Sequence, residues 1–367
     1  MHSLLSFGRR DTPPQRHDTF AADWLRSVIA VPLWDLGEQE PAYRGILAPH
    51  ETHEKLDRMA SGVTSQFLED ADAYHSQYFN TDYWSFLITA ALRRAAVGAR
   101  NLDVHSILDV GSGSGNTVFP LVKLFPDARI AACDISAQLL RLLGHALRQQ
   151  GHAQSVGLAC LDLNRKWFKP ATFDLAIGGA ILHHLFDPAA LIEEVFRAVR
   201  PGGVAIYFEP FEIGHKLLAL IYRQMLDAAP LRGGLSERLT EFLQNRIDEF
   251  ALRTGTSKPP ETYAHVDDKW LFTRSFFEGV AVRIGASELV TYPLHGSEDL
   301  FIPKIRFELQ CGAGLEWDAL PPWAWDIAAR TQAMFSAELI WTALAIARNP
   351  TTPSGKSVPR PPEIRSI

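Results

Sequence analysis

A glycine-rich loop that directly follows a short apolar run is the feature that most constrains this fold. The loop occupies residues 111–116 and reads GSGSGN, and a helical pattern comes after it. Glycines there allow a tight turn and let the backbone approach a ligand closely. Asp134 ends the next apolar run, RIAACD, where a carboxylate can accept hydrogen bonds from both hydroxyls of a ribose. The pattern therefore predicts a site for an adenosine-type ligand.

Short β-rich runs alternate with helical patterns between residues 105 and 209. Such near-continuous apolar runs are typical of strands buried on both faces of a parallel sheet, so the pattern predicts a doubly wound α/β core. The runs are Ser106–Val110, Arg129–Cys133, Gly157–Leu161, Phe173–Gly178 and Gly203–Phe208.

The spacing of the glycines separates two classes of adenosine-containing cofactor. Dinucleotide-binding loops follow G-x-G-x-x-G, whereas here the sixth position counted from Gly111 is Asn116 and a glycine stands at the fifth. The loop instead resembles motif I of the class I S-adenosylmethionine-dependent methyltransferases, E/D-x-G-x-G-x-G. Asp109, Gly111, Gly113 and Gly115 stand at the matching positions.

The resemblance continues in family order along about 105 residues of the core. Asp134 matches the ribose-binding acid, Asp162 in CLDLN matches the residue that reads the adenine amino group, and FDLAIGGAILHHLFDP resembles motif IV. The resemblance implies a Rossmann-like, doubly wound, mostly parallel seven-stranded sheet that binds S-adenosyl-L-methionine. The implied cofactor-binding residues are Asp109, Gly111, Gly113, Gly115, Asn116, Asp134, Ile135, Asp162, Leu163, Gly178 and Gly179.

Three residues at the ends of predicted strands are candidate catalytic groups. His183 and His184 follow the fourth strand of the core, and Glu209 ends the fifth. A histidine that titrates near neutrality or a carboxylate can remove a proton from a hydroxyl acceptor. Other roles stay open: the histidines could pack against the cofactor or the core, and Glu209 could bind substrate, hold a metal or cap a helix.

An aromatic segment before the core could close over the cofactor. It offers Tyr74, Tyr78, Tyr83 and Trp84 as substrate or cap contacts, although aromatic residues at helical spacing are more often part of a core. The histidines of the HETHE segment at residues 50–54 lack the H-E-x-x-H order of a zinc helix. The sequence therefore predicts no metal site.

The expected organisation places added segments around the core. We predict two strands, Glu288–Leu294 and Ile305–Gln310, and a buried helix over Ala333–Ala347. The expected units are a disordered N-terminus at 1–20, an N-terminal helical cap at 21–104, the core at 105–312 with a helical insertion at 211–268, a C-terminal helix at 313–349 and a disordered tail at 350–367.

The composition indicates which binding partners and which cellular compartment to expect. The chain has 36 basic against 42 acidic residues, so it lacks the basic surplus expected of a nucleic-acid-binding protein. Its three cysteines are far apart and predict neither disulfides nor a cysteine zinc site. No signal peptide or membrane span is evident. We expect a cytoplasmic protein with a small-molecule acceptor, no nucleic-acid or membrane partner, and a homodimer interface on the added helices.

The resemblance implies a methyltransferase that uses S-adenosylmethionine, and it indicates a small-molecule acceptor such as a sugar, a polyketide or another secondary metabolite. Because the histidine pair and Glu209 offer a His or Glu general base, we predict transfer of the methyl group to a hydroxyl. One alternative is carbon methylation of an enol, aromatic or prenyl-type acceptor, in which Glu209 removes a proton from carbon or stabilises a cation. The alternative from another class is a non-catalytic partner subunit, which would have a blocked acceptor pocket.

Overall fold

A computed structural model describes residues 18–53, 70–94, 103–255, 258–294, 300–335, 340–348 and 363–366. These residues form a ten-stranded sheet in the order β1-β2-β5-β4-β3-β6-β7-β9-β8-β10. The strands are β1 (Trp34–Asp35), β2 (Ile46–Ala48), β3 (Ser106–Val110), β4 (Arg129–Asp134), β5 (Val156–Cys160), β6 (Phe173–Gly179), β7 (Val199–Pro210), β8 (Glu288–Pro293), β9 (Trp341–Ala347) and β10 (Glu363–Ser366).

The centre of the sheet, β5-β4-β3-β6-β7, is entirely parallel. Its residues are almost all buried, as their continuous apolar runs predict. The chain order reverses between β3 and β6, and ligands of open α/β sheets bind in the crevice at such a switch point. The predicted fold class is confirmed, although the described residues contain ten strands instead of seven.

Helices cover both faces of the sheet and its carboxyl edge. They are α1 (Asp18–Val28), α2 (His50–His53), α3 (Ala71–Tyr78), α4 (Thr81–Arg94), α5 (Val118–Leu124), α6 (Ala137–Gln149), α7 (Pro188–Ala198), α8 (Glu212–Ala228), α9 (Glu237–Arg253), α10 (Pro260–Tyr263), α11 (Arg274–Ile284), α12 (Ile302–Ala313) and α13 (Pro322–Gln332). Residues with capping side chains or proline mark where several of these helices begin. The Asp187 side chain, for example, accepts a hydrogen bond from the Ala190 N–H, and Pro188 is the first residue of α7.

Two predicted elements have the wrong type. Residues 305–310 belong to α12, because Pro303 favours the first turn of a helix and the buried Ile305 and Leu309 lie one turn apart. The expected helix over Ala333–Ala347 is wrong, since residues 341–347 form β9, which pairs antiparallel with both β7 and β8. A continuous apolar run is compatible with either a buried helix or a buried strand, and pairing with two long neighbours decides for the strand.

The added segments differ in part from the expected organisation. The insertion at 211–268 is helical, and α8 and α9 share an apolar core with α12 and α13, which we call the helical layer. The N-terminal region contains β1 and β2 as well as helices, and the described residues of 313–349 contain a strand. The disordered ends are wrong for 18–20, which begin α1, and for 363–366, which pair with β8. The remaining residues of the two ends, 1–17, 350–362 and 367, lie outside the described ranges. Of the helices described, none combines the length and the apolar character that crossing a membrane requires.

Candidate functional site

A cavity of about 930 Å³ lies at the carboxyl edge of the sheet. The glycine loop after β3 lines one part of it, the aromatic helices α3 and α4 line another, and side chains from the helical layer line the rest. Because this edge is the switch point of the sheet, the sequence elements predicted to bind a ligand meet there.

The three glycines of the loop serve different purposes. All have positive φ angles, 75° at Gly111, 50° at Gly113 and 111° at Gly115. A Cβ atom at Gly111 would come within 2.8 Å of Ile181, and one at Gly115 within 2.7 Å of Leu143, whereas a Cβ at Gly113 would meet no atom within 4 Å. Gly111 and Gly113 line the cavity. Packing therefore requires glycine at two positions, and at Gly113 the missing side chain leaves open space at the cavity.

Asp134, which is predicted to bind ribose, ends β4 and joins this strand to the glycine loop. Its Oδ2 accepts a hydrogen bond of 2.8 Å from the Gly113 N–H, and its Oδ1 accepts one of 2.8 Å from the Ser136 N–H. Burial raises the pKa of Asp134, while these backbone hydrogen bonds lower it. Each carboxylate oxygen has two lone pairs, so Asp134 can fix the loop and still accept a hydroxyl proton from a ligand in the cavity.

Asp109, the acid of the glycine motif, is completely buried and does not line the cavity. Its Oδ2 accepts a 2.6 Å hydrogen bond from the Thr117 hydroxyl. Burial raises its pKa to about 7, although the Thr117 hydrogen bond lowers it, and the nearby charge of Asp134 raises it further. Asp109 thus supports the glycine loop without facing the cavity. Its ionisation at this buried position lowers the stability of the folded protein.

This burial predicts a pH-dependent stability. The pKa of Asp109 is higher in the folded protein, about 7, than the ordinary value of 3.8, so its contribution to stability is full below about pH 4 and is lost as pH rises through about 7. The melting temperature of Asp109→Asn, followed by circular dichroism, should fall less between about pH 5 and pH 8 than that of the wild type, by several degrees.

Thr117→Val provides the opposite change, because it removes the hydrogen bond that lowers the pKa of Asp109. Its melting temperature should fall more steeply with pH than that of the wild type. Equal slopes for the wild type and Asp109→Asn would show that Asp109 ionises in the folded protein as it does in the unfolded chain.

Most of the predicted cofactor residues reach the cavity. Besides Gly111, Gly113 and Asp134, its lining includes Asn116, Ile135, Asp162, Leu163 and Gly179. Gly115 and Gly178 do not line it, and a Cβ at Gly178 would come within 2.7 Å of Tyr207. These two glycines therefore serve packing around the site.

The N-terminal aromatic helices close over the loop, as the sequence predicts in outline. Tyr74, Tyr78, Tyr83 and Trp84 all line the cavity. Asn116 fastens the segment between α3 and α4, because its Oδ1 accepts from the Asn80 N–H at 2.8 Å and its Nδ2 donates to the Tyr78 carbonyl at 3.1 Å.

A second contact joins the N-terminal segment to the loop. His75 Nδ1 lies 2.8 Å from the Ser114 hydroxyl. Sequence analysis did not predict this contact, because no local pattern links residues 39 positions apart.

Glu209, a predicted catalytic residue, is fully buried and does not line the cavity. Its Oε1 accepts hydrogen bonds from the Ile181 N–H at 3.0 Å and the Leu182 N–H at 2.7 Å. Its Oε2 lies 2.6 Å from His183 Nδ1. The structure therefore makes Glu209 a positioning residue: it holds the turn after β6 and orients the His183 ring.

His183 and His184 both line the cavity and meet an aspartate that sequence analysis missed. Oδ1 of Asp268 lies 3.5 Å from His183 Nε2 and 3.4 Å from His184 Nδ1. His184 Nδ1 also lies 3.2 Å from the Asp267 carbonyl oxygen. We call these three side chains the His183–His184–Asp268 cluster. No spacing rule could connect Asp268 to a histidine pair more than 80 residues earlier, because the helical insertion separates them.

The charges around the cluster favour an ionised Asp268. Its Oδ2 lies 3.1 Å from Arg253 Nη1 on α9. Burial by itself would raise the pKa of Asp268, but the positive charges of Arg253 and Lys304 hold it well below its usual range. Burial lowers the pKa of His184 to about 3, and the neighbouring His183 adds to this effect. The cluster thus combines a carboxylate with a neutral His184.

Comparison with known proteins agrees with this geometry. Residues 108–205 match a family model described as a methyltransferase domain. This chain therefore carries a methyltransferase domain over residues 108–205. The matched residues run from β3 into β7 and include the glycine loop, Asp134 and the histidine pair.

Individual relatives of this methyltransferase core are similar over parts of the chain. Trans-aconitate 2-methyltransferase of Azoarcus sp. (strain BH72) is 38% identical over 102 residues, which cover 28% of this chain and 38% of that protein. The tRNA N(3)-methylcytidine methyltransferase of Drosophila melanogaster is 26% identical over 190 residues, 47% of this chain and 56% of that protein.

Among solved structures, phosphoethanolamine N-methyltransferase 2 of Haemonchus contortus with S-adenosyl-L-methionine has a TM-score of 0.42 and 16% identity over 78% of this chain and 61% of that chain.

The first curated relatives are matched over only 35–56% of their own length. The residues matched by the family model end at 205, so the helical layer lies outside them.

S-adenosylmethionine is the cofactor of this family, and the residues of the cavity fit it. The open space at Gly113 lets a ligand approach the backbone, and the carboxylates of Asp134 and Asp162 can accept the hydroxyl and amino protons of an adenosine. The buried Ser112 hydroxyl, at the same edge, makes no hydrogen bond with the part of the chain that the structure describes.

The geometry of Asp134 predicts a loss of cofactor affinity in Asp134→Ala. Hydrogen bonds to a charged group contribute about 1.5–3 kcal/mol, so the affinity for S-adenosylhomocysteine should fall about tenfold to a hundredfold. Isothermal titration calorimetry measures this directly. Asp187→Ala is the matched control, since Asp187 also accepts a backbone N–H at a helix start but lies outside the cavity. Unchanged affinity in Asp134→Ala would remove Asp134 from the cofactor site.

Proposed function

We propose that this chain is an S-adenosylmethionine-dependent methyltransferase that methylates a hydroxyl of a small polar molecule. The observation that carries the proposal is the His183–His184–Asp268 cluster, which lies in the same cavity as the glycine loop and Asp134. When bound, S-adenosylmethionine supplies the methyl group that the acceptor oxygen takes up. The chain's own residues must position that oxygen and accept the charge that develops as its proton leaves.

The orientation of His183 supports this role for the cluster. Glu209 accepts the Nδ1 proton of His183, so the ring presents Nε2 to the cavity side, beside Asp268. A carboxylate that fixes the tautomer of a neighbouring imidazole is a recurring device for proton removal. An acceptor hydroxyl next to Nε2 would meet a group able to take or share its proton.

The positions of Glu209 and His184 give less support to carbon methylation. It would require Glu209 to reach a carbon acid or a cation, but both Glu209 oxygens are used by the backbone and by His183, and the side chain is fully buried. The surroundings of His184 are polar, with Asp267, Asp268 and Arg253 in the lining. Polar lining there favours an oxygen acceptor over an apolar one.

A non-catalytic role as a partner subunit would predict a blocked acceptor site. The cavity instead continues from the glycine loop past the cluster to Arg246 and Lys304 of the helical layer. This continuity favours an enzyme with room for an acceptor beside the cofactor. The two relatives are named for different acceptors, trans-aconitate and a tRNA, and these acceptors belong to those proteins.

The first experiment is calorimetric titration of the full chain with S-adenosylhomocysteine, with NAD as the control ligand. Binding of S-adenosylhomocysteine alone supports the proposal. The next step is to screen hydroxylated metabolites with labelled S-adenosylmethionine, scoring transferred methyl groups by mass spectrometry. Binding of NAD alone, or of neither ligand, contradicts the proposal.

A further inference from the structure

We propose that the His183–His184–Asp268 cluster is a binding site for one divalent first-row transition metal ion. Its consequence for the acceptor rests on the function proposed above, whereas binding of the metal itself does not. The sequence predicts no metal site, because the third ligand comes from the helical insertion. One ligand atom from each of the three side chains lies within 4.8 Å of the others.

The distances fit a metal centre. Two ligands bound at about 2.1 Å around a tetrahedral ion lie about 3.4 Å apart. Asp268 Oδ1 lies 3.4 Å from His184 Nδ1 and 3.5 Å from His183 Nε2. Binding requires His184 Nδ1 to serve as a lone-pair donor to the metal instead of contacting the Asp267 carbonyl at 3.2 Å. This change needs the other tautomer of the ring, with the proton on Nε2, and the loss of the hydrogen bond to the Asp267 carbonyl.

The orientation of His183 suits this ring to bind a metal ion. Because Glu209 accepts the Nδ1 proton of His183, the Nε2 atom that faces Asp268 carries a lone pair when the ring is neutral. That atom lies 3.5 Å from Oδ1 of Asp268. A metal ion between the two atoms would join them, and a bond to His184 Nδ1 would complete the set of three ligands.

The groups behind the ligands already have the arrangement of a metal centre. A metal-binding histidine usually donates its other N–H to a carboxylate, which fixes the ring and raises its basicity. Glu209 does this for His183 at 2.6 Å. Arg253 holds Oδ2 of Asp268 at 3.1 Å, which leaves Oδ1 for the ion.

The ligand set selects the class of ion and leaves positions for the acceptor. Two imidazoles and one carboxylate suit zinc, iron(II), cobalt or nickel better than magnesium or calcium, which prefer oxygen ligands. The cluster opens into the cavity, so further positions on the ion face the acceptor. With the ion bound, His183 Nε2 would be a ligand and would not take the acceptor's proton. A hydroxyl bound to the ion would instead lose its proton to solvent more readily, and the ion would carry the charge of the resulting oxyanion.

The test uses cobalt(II) chloride added to the chelator-treated full chain. We expect one cobalt ion per chain, seen by calorimetry and by the visible absorption of a site with nitrogen and oxygen ligands. Affinity should fall at least about tenfold in His184→Ala and in Asp268→Asn. His265→Ala is the matched control, since His265 lines the same cavity outside the cluster and should keep full affinity.

The outcomes separate this inference from the proposed function. S-adenosylhomocysteine titration of each variant reports whether the cofactor site, which uses other residues, is folded. If the protein fails to bind S-adenosylhomocysteine but binds cobalt through the cluster, only the function fails. Absence of cobalt binding, or equal binding by the wild type, His184→Ala and Asp268→Asn, would overturn the metal site and leave the function untouched. Asp268→Glu, which keeps the charge, replaces Asp268→Asn should that variant not fold.

Discussion

Gly113→Val is expected to abolish the binding of S-adenosylhomocysteine while the protein remains folded. The φ angle of Gly113 is 50°, and a side chain added there would project into space that is open to the cavity. The valine methyl groups would occupy the volume through which a ligand approaches the backbone of the loop. We expect a loss of affinity of about a hundredfold or more by calorimetry, equivalent to about 2.7 kcal/mol.

The control for this variant is Gly151→Val. Gly151 also has a positive φ angle, 76°, and a Cβ atom there would likewise meet no atom within 4 Å, but it lies in a turn after α6 outside the cavity. Both variants carry a similar backbone strain of about 1–3 kcal/mol. Equal cofactor affinity in the two variants would contradict the assignment of the loop, whereas a loss confined to Gly113→Val supports it.

Glu209→Gln is expected to lower turnover about a hundredfold or more, with little change in cofactor affinity. The amide oxygen can replace Oε1 and accept from the Ile181 and Leu182 N–H groups. Its NH₂ group then faces His183 Nδ1, which must give up its proton and accept. The proton moves to Nε2, and that atom can no longer take a proton or bind a metal.

Two measurements check this prediction. Turnover with an acceptor found by screening should fall through kcat, while the affinity for S-adenosylhomocysteine stays close to that of the wild type. Nitrogen NMR of the His183 side chain should show the proton on Nδ1 in the wild type and on Nε2 in Glu209→Gln. An unchanged tautomer would contradict the positioning role of Glu209.

Glu194→Gln is the matched control for this change. Glu194 is buried on α7 and accepts hydrogen bonds from the Trp167 and Phe168 N–H groups, as Glu209 does from its own neighbours. It lies outside the cavity. It should therefore lose comparable stability without a fall in turnover, and a similar fall in both variants would indicate a general structural defect.

The structure agrees with the predicted site for those residues whose positions are set by their neighbours in the sequence. The glycine loop, Asp134 and the histidine pair follow directly after buried strands, and parallel strands bring their carboxyl ends to one edge. Their positions could therefore be predicted before any contact was known. The catalytic roles of His183 and His184 stay predictions.

Long-range packing decided what the sequence left open. Asp268 reaches the histidine pair, and Arg253 reaches Asp268, only because the insertion folds back over the sheet edge. Glu209 is predicted to act on the substrate but turns inward, since the turn after β6 offers it two N–H donors and an imidazole. Such contacts depend on residues that no periodicity or spacing connects.

The sequence by itself determined the parallel core and the cofactor loop, because apolar runs specify buried strands and glycines specify the loop backbone. Only the tertiary structure decided that residues 341–347 form a strand, since pairing with β7 and β8 satisfies their backbone groups. It also decided the His183–His184–Asp268 cluster, because a site assembled from distant segments exists only once the chain between them has packed.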